Sequence, residues 1–146
     1  MIYIGSDHRG FALKEKLKEK LTEWGYDYED VGPFEYNKDD DYPDFAKLVG
    51  EKVAASEDSK GILICGSGVG VVVTSNKIKG IISGTMFDPE QAKASVADEG
   101  TNVIGLSNDY TSEEKNVEIV KAFLESKFSG AERHIRRVGK IKNLEK

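Results

Sequence analysis

A regular change of hydrophobic period constrains this chain more than any other feature. Short apolar runs alternate with longer segments whose apolar residues recur every three or four positions. Met1–Ile4, Tyr26–Val31, Gly61–Cys65, Gly80–Met86 and Asn102–Leu106 have the length and content of strands. Between and after them lie helical patterns over 10–24, about 43–55, 69–77, about 89–97 and 111–128. In the first of these, Phe11, Leu13, Leu17, Leu21 and Trp24 form the apolar stripe, and Gly25 stands where a C-terminal cap belongs. Pro43 and Pro89 open later helices, the second behind Asp88 as N-cap. The Val71–Val73 run is poor in helix propensity, which predicts burial on several sides. Strands joined by helical crossovers form a parallel sheet covered on both faces. The expectation is an α/β fold, a three-layer α/β/α sandwich with a five-stranded parallel sheet, in one domain spanning 1–146. The basic stretch from Arg133 to Lys146 is expected to be partly helical and too polar for the core, so it is assigned to packing on a partner subunit.

Composition removes several function classes. The net charge of -5 leaves no basic excess to neutralise a nucleic-acid backbone. One cysteine cannot form an internal disulfide, and with two histidines it cannot build the usual zinc site. No apolar run is long enough to span a membrane, and the chain enters a strand at Met1 without a basic leader. A cytoplasmic location without membrane or nucleic-acid partners is expected.

In open parallel sheets, ligands bind beyond the carboxyl ends of the strands. That rule selects Ser6-Asp7-His8, the 38–44 loop, the 65–70 loop, the 86–88 turn and the residues after the fifth strand. The 65–70 loop reads Cys-Gly-Ser-Gly-Val-Gly. Its glycines would let amide groups converge on an anion. The spacing is not that of a dinucleotide loop, and no Gly-Lys-Ser/Thr follows as in a P-loop. Cys65 precedes a helix N-terminus, where a thiolate is stabilised. A tight turn beside a buried, inert Cys fits the same letters equally well. Asp7 alone reads first as a helix cap, but the adjacency of Asp7, His8 and Arg9 at a strand's carboxyl end points to anion or hydroxyl binding by His8. The carboxylates of Asp39-Asp40-Asp41 lack the spacing of a calcium loop and are expected to face solvent, so no metal is assigned. Arg133, His134, Arg136 and Arg137 form a local positive field in an acidic chain.

Taken together, these segments resemble the ribose-5-phosphate isomerase B and galactose-6-phosphate isomerase family. The likeness runs through IGSDHRGFALKEKL at the start, DYPDFA at 41–46, GILICGSGVG at 61–70, NKIKGI at 76–81, NVIGL at 102–106 and RHIRRV at 133–138. It implies Rossmann-like subunits paired as a homodimer or homotetramer with shared active sites, no cofactor, and a sugar or sugar phosphate as substrate. It also implies roles. Cys65 would move a proton between C1 and C2 of an open-chain sugar through a cis-enediolate. Ser67 and the amides of Gly66, Gly68, Val69 and Gly70 would stabilise the enediolate oxygens. Asp7 would assist ring opening or bind hydroxyls, Tyr42 would bind substrate, and His8, Arg133 and Arg137 would hold the phosphate.

The chain departs from that pattern in three places. Asp98 stands where the family has a ring-opening histidine, and Glu99 replaces an asparagine that binds sugar. Leu106-Ser107-Asn108-Asp109 replaces Leu-Gly-x-Arg, whose Arg binds phosphate in the family, and Glu132 is one extra residue before Arg133. The expected activity is isomerisation of a pentose or hexose phosphate, with Asp98 as the base for ring opening and Glu99 on the sugar. The departures keep three alternatives open: the Cys-bearing subunit of a heteromeric isomerase, an isomerase of an unphosphorylated sugar, and a silent sugar-phosphate-binding protein.

Overall fold

The computed structural model describes residues 1–145. Its strands are β1 (Ile2–Ser6), β2 (Tyr28–Gly32), β3 (Lys60–Cys65), β4 (Ser83–Thr85) and β5 (Val103–Ser107). They pair in parallel in the order β2-β1-β3-β5-β4. The helices are α1 (Phe11–Glu23), α2 (Tyr42–Ala54), α3 (Gly70–Ser75), α4 (Pro89–Glu99), α5 (Glu113–Glu125) and α6 (Glu132–Lys142), with a 3-10 turn at His8–Gly10. The chain leaves β1 towards β2 on one side and returns as β3 on the other. The carboxyl ends of β1 and β3 therefore flank the crevice where such sheets bind ligands.

Side chains alternate across the sheet with the period of two that strands impose. Ile2, Ile4, Ile62, Ile64, Ile104 and Leu106 face the layer built from Leu13 and Leu17 of α1, Val96 of α4, and Ile119 and Phe123 of α5. Leu63, Cys65 and Val103 face Ala46, Val49 and Val53 of α2 and Val71 of α3. This is the expected α/β/α sandwich around a five-stranded parallel sheet. The anticipated cap is present, Asp88 Oδ2 accepting from the Glu90 amide at 2.8 Å, and Ser112 Oγ caps α5 by accepting from the Lys115 amide at 3.1 Å.

Several boundaries differ from expectation, each for a local reason. β2 begins at Tyr28 and not Tyr26, because Gly25 at φ 82° turns the chain and the Tyr26 amide bonds back to Leu21 O at 2.9 Å. β4 is confined to Ser83–Thr85, because Ile81 N–H is taken by Ile78 O and Ile82 N–H by Asn102 Oδ1. The valine run is buried on one side only: Val71 is fully buried, whereas Val73 is 54% exposed. α6 is a continuous helix with His134 as its one buried residue, in keeping with a segment too polar for the core.

One buried ion pair fixes the chain that leads towards the site. The Lys14 side chain is fully buried and donates to Asp30 Oδ1 (2.8 Å), Asp30 Oδ2 (2.6 Å) and Pro33 O (2.8 Å). Lys18 adds a contact to Asp30 Oδ2 at 2.8 Å, and the Gly32 amide donates to Oδ1 at 2.9 Å. The cluster ties α1 to the end of β2 and to the start of the 33–41 loop. Burial opposes the Asp30 charge, but Lys14, Lys18 and the Gly32 amide outweigh it and hold the carboxyl below its ordinary 3.8. A lowered carboxyl contributes stability that is present above pH 3.8 and lost as pH falls through the folded value. Lys14→Met is expected to cost about 3 kcal/mol in urea unfolding at pH 7, the lower end for breaking a buried pair, since Lys18 still faces Asp30. The deficit against wild type should shrink as pH drops below 3.8.

Candidate active site

The loop after β3 is turned so that its carbonyls point into the fold. Cys65 O accepts from the Asn108 amide at 3.0 Å, and Gly66 O from the Asp109 amide at 3.0 Å and Ser107 Oγ at 2.7 Å. Gly68 O accepts from Thr85 Oγ1 at 2.7 Å. In a trans peptide the N–H points opposite to the preceding C=O. The amides of Gly66, Ser67 and Val69 therefore face away from β4 and β5, towards a cavity of about 440 Å³ lined in part by those three residues. The volume lies in the range of small-ligand sites, about 300–1,000 Å³. Gly68 adopts φ 76°, and a Cβ there would come within 2.9 Å of the Leu106 backbone. Gly105 has the same constraint from the other side, since its Cβ would lie 2.5 Å from Gly68 O.

Cys65 lines this cavity from its floor, 4% exposed, and its Sγ accepts the Gly68 amide at 3.2 Å. That contact fixes the sulfur at the cavity floor beside the loop amides. Ser67 Oγ accepts the Val69 amide at 3.2 Å and stands on the same wall. Tyr42, at the start of α2, lies with its ring on Gly70, where a Cβ would meet Tyr42 Cε1 at 2.5 Å.

Asp7, just past β1, also lines the cavity. Its Oδ1 accepts the Arg9 and Gly10 amides at 3.0 and 3.2 Å, so it is a cap as well as a site group. Burial pushes its carboxyl above the ordinary 3.8, against the lowering by the two capping amides and His8. A carboxyl raised in this way keeps its proton to higher pH than an exposed aspartate does. His8 turns aside. Its backbone N–H donates to Asp40 Oδ1 at 2.9 Å, and its Nδ1 lies 2.8 Å from the same oxygen. Asp40 was expected in solvent with its neighbours, yet its side chain is 7% exposed, drawn in by that double contact.

Four of the expected residues lie elsewhere in the subunit. Asp98 and Glu99 end α4, which runs back to the amino-terminal edge of the sheet before β5 begins at Val103. Asp98 Oδ1 lies 3.5 Å from His134 Nε2, and His134 Nδ1 lies 2.6 Å from Ser129 Oγ. Arg133 and Arg137 are exposed on α6, which carries that histidine. Within one chain these four are at the end of the sheet opposite Cys65. The residue that site reasoning from sequence missed is Arg9, which reaches over Gly66 to pair with Asp109. The Asp-His-Arg adjacency pointed at the loop, but its partner is 100 residues on. Among the described residues no cluster of three or more His, Cys, Asp or Glu side chains is placed to hold a metal ion, and no helix is long and apolar enough to cross a membrane. A larger cleft, about 760 Å³ between the α3–β4 connection and the end of α6, is lined by no cysteine, histidine or aspartate.

The raised Asp7 carboxyl sets a pH dependence. A carboxyl raised on folding favours the native state while protonated, and that contribution is lost as pH rises through the folded value. Asp7→Asn keeps an oxygen to cap the Arg9 and Gly10 amides but carries no charge. Its urea midpoint is expected to gain on wild type as pH rises above 3.8, and the gap should level off once wild-type Asp7 is fully ionised.

Comparison with known proteins gives a consistent result. The model of the ribose/galactose isomerase family matches residues 2–141. Ribose-5-phosphate isomerase B of Mycolicibacterium paratuberculosis is 33% identical over 145 residues, covering 99% of this chain and 91% of its own. The structure of ribose-5-phosphate isomerase B from Mycoplasma genitalium with bound ribulose-5-phosphate superposes with a TM-score of 0.94 at 40% identity, covering 98% of this chain and 94% of that one. The Clostridium thermocellum enzyme of the same name gives 0.93 at 36% identity, covering 98% and 95%. The α/β sandwich, the Cys65 loop and these matches together place the chain in the ribose/galactose isomerase family.

Proposed function

We propose that this protein interconverts ribose 5-phosphate and ribulose 5-phosphate through a cis-enediolate. The observation that carries the reading is the Cys65 sulfur on the cavity floor, held by the Gly68 amide and faced by outward-turned loop amides. Asp7 exchanges a proton with the sugar hydroxyls to open the ring. The Cys65 thiolate then removes the proton from C2 of the open-chain aldose. The C2–H electron pair forms the C1–C2 double bond, and the carbonyl π pair moves to O1. The amides of Gly66 and Ser67, with the Ser67 hydroxyl, stabilise that oxyanion. Return of the proton from the thiol to C1, with the O2 proton passing to O1 through Asp7 or water, leaves the ketose and restores the thiolate. The family membership and the names of the similar enzymes support a pentose phosphate over a hexose phosphate.

The reading includes a homodimer, or a homotetramer built of such pairs, in which a second copy brings Asp98, Glu99, Arg133 and Arg137 to the Cys65 cavity. Their placement at the far end of the same subunit supports this, as does the apolar rim of Val69, Val73 and Tyr110, each half or more exposed. A cytoplasmic setting accords with the single free thiol.

Purified wild type should convert ribose 5-phosphate to ribulose 5-phosphate, and Cys65→Ala should lower kcat by about 10²–10⁴-fold, the range for a lost general base. Absence of turnover on every aldose–ketose phosphate pair, or an unaffected Cys65→Ala, would refute the isomerase. Mixing inactive Cys65→Ala with inactive Arg137→Ala after reversible dissociation should restore activity, because a mixed pair contains one intact shared site. No recovery on exchange would remove the shared site.

A further inference from the structure

Among the residues lining the Cys65 cavity, only Arg9 carries a positive charge, against the carboxyls of Asp7 and Asp109. Its position is specific. The side chain is 55% exposed and so sits at the mouth, whereas Cys65 is buried on the floor. The guanidinium lies on the backbone of Gly66, and a Cβ at that residue would come within 2.8 Å of Arg9 Cζ. Arg9 Nη2 is held by Asp109 Oδ2, and the Asp109 amide is itself bonded to Gly66 O at 3.0 Å. The arginine head is thus anchored to the same loop that carries the thiol. A guanidinium has five N–H donors, and its ion pair with Asp109 occupies only one of its nitrogens.

We propose that Arg9 is the residue of this subunit that recognises the substrate's phosphate, with Asp109 as the positioning residue that aims the guanidinium over Gly66. The identity of the sugar and its orientation rest on the isomerase reading above; the guanidinium's own placement at the cavity mouth does not. The carbons that exchange a proton must reach Cys65 on the floor, which leaves the opposite, anionic end of the substrate at the mouth beside Arg9. A planar fork of N–H donors suits a phosphate, which it can engage through two parallel hydrogen bonds. Asp109 is compatible with an anionic substrate because its charge is offset by Arg9. Without Arg9, this subunit would present the phosphate with Asp7 and Asp109 and no cation of its own among the residues that line the cavity.

The test is calorimetric binding of inorganic phosphate, ribose 5-phosphate and free ribose to wild type, Arg9→Ala, Arg9→Lys and Arg9→Ala/Asp109→Asn, with KM measured beside it. Arg9 is exposed, so these variants are expected to fold. Arg9→Ala should weaken both phosphate ligands by about tenfold or more, as for loss of a charge-assisted pair, and KM should rise in proportion. Arg9→Lys should fall between, the double variant should stay weak, and free ribose should bind as before. Wild-type affinity in Arg9→Ala, full recovery in the double variant, an equal loss for free ribose, or no phosphate binding by wild type would each overturn the assignment. Recovery in the double variant would mean that Arg9 only offsets Asp109. Arg9-dependent phosphate binding without turnover would sink the isomerase and leave the assignment standing; turnover indifferent to Arg9 would do the reverse.

Discussion

The capture of one loop's carbonyls by its neighbours underlies everything that the cavity can do. Two neighbouring strand ends take part. Thr85 at β4, Ser107 at β5, and the amides of Asn108 and Asp109 just beyond bind the carbonyls of Cys65, Gly66 and Gly68. A peptide group has one donor and one acceptor, pointing opposite ways. Once the acceptors are satisfied inside the fold, the Gly66 and Ser67 amides are left facing the cavity, while those of Gly68 and Val69 donate to Cys65 Sγ and Ser67 Oγ on its wall. Positive electrostatic character is thereby built in without a cation, and it needs no reorganisation when negative charge develops on a substrate oxygen. The same packing explains why glycine stands on both sides of the contact. A Cβ on Gly105 would strike Gly68 O, and one on Gly68 would strike the β5 backbone.

The charges around this loop follow a compensation that residue types alone do not show. Asp109 stands where its charge would repel a phosphate, and by itself it argues for a neutral substrate. The ion pair with Arg9 alters that balance, because the carboxylate becomes the anchor of the cavity's cation. Asp40 makes a parallel case. Its acidic neighbours mark it as solvated, yet it binds the His8 backbone and ring at once and ties the 33–41 loop to the site. In both places a carboxylate positions a basic side chain of the first loop, and both partners come from distant sequence.

What was legible in the sequence and what was not divide along the range of the interaction. Strand and helix succession, the cap at Asp88 and the turn at Gly25 depend on residues within about one helical turn of each other, so local pattern reveals them. The Cys65 loop was equally plain, since its glycines and thiol lie together. The strand order, the Arg9–Asp109 pair, the His8–Asp40 contact and the Lys14–Asp30 staple join residues 16 to 100 positions apart. No period or spacing encodes them. β4 was overestimated because Ile81 and Ile82 satisfy strand propensity while their amides are taken by Ile78 and Asn102. The inward valine run was overestimated because a short helix on one sheet face buries only one side of itself.

Topology finally bears on why one subunit holds half of the expected residues in the cavity. In a parallel sheet every strand runs the same way, and each connecting helix must run back. Residues just after a strand, such as Asp7, Cys65 and Asp109, gather at the carboxyl edge. Residues that end a helix, such as Asp98 and Glu99, are delivered to the opposite edge, and α6 packs beside them through the Asp98–His134 contact. The length of the sheet separates the two groups, and no side-chain rotation within the subunit can span it. A site that uses both groups requires a second copy set against the first, its helix-end edge against this cavity. Under the proposed shared site, assembly is a condition of the chemistry, and Arg9 is the cation that one subunit holds at the cavity by itself.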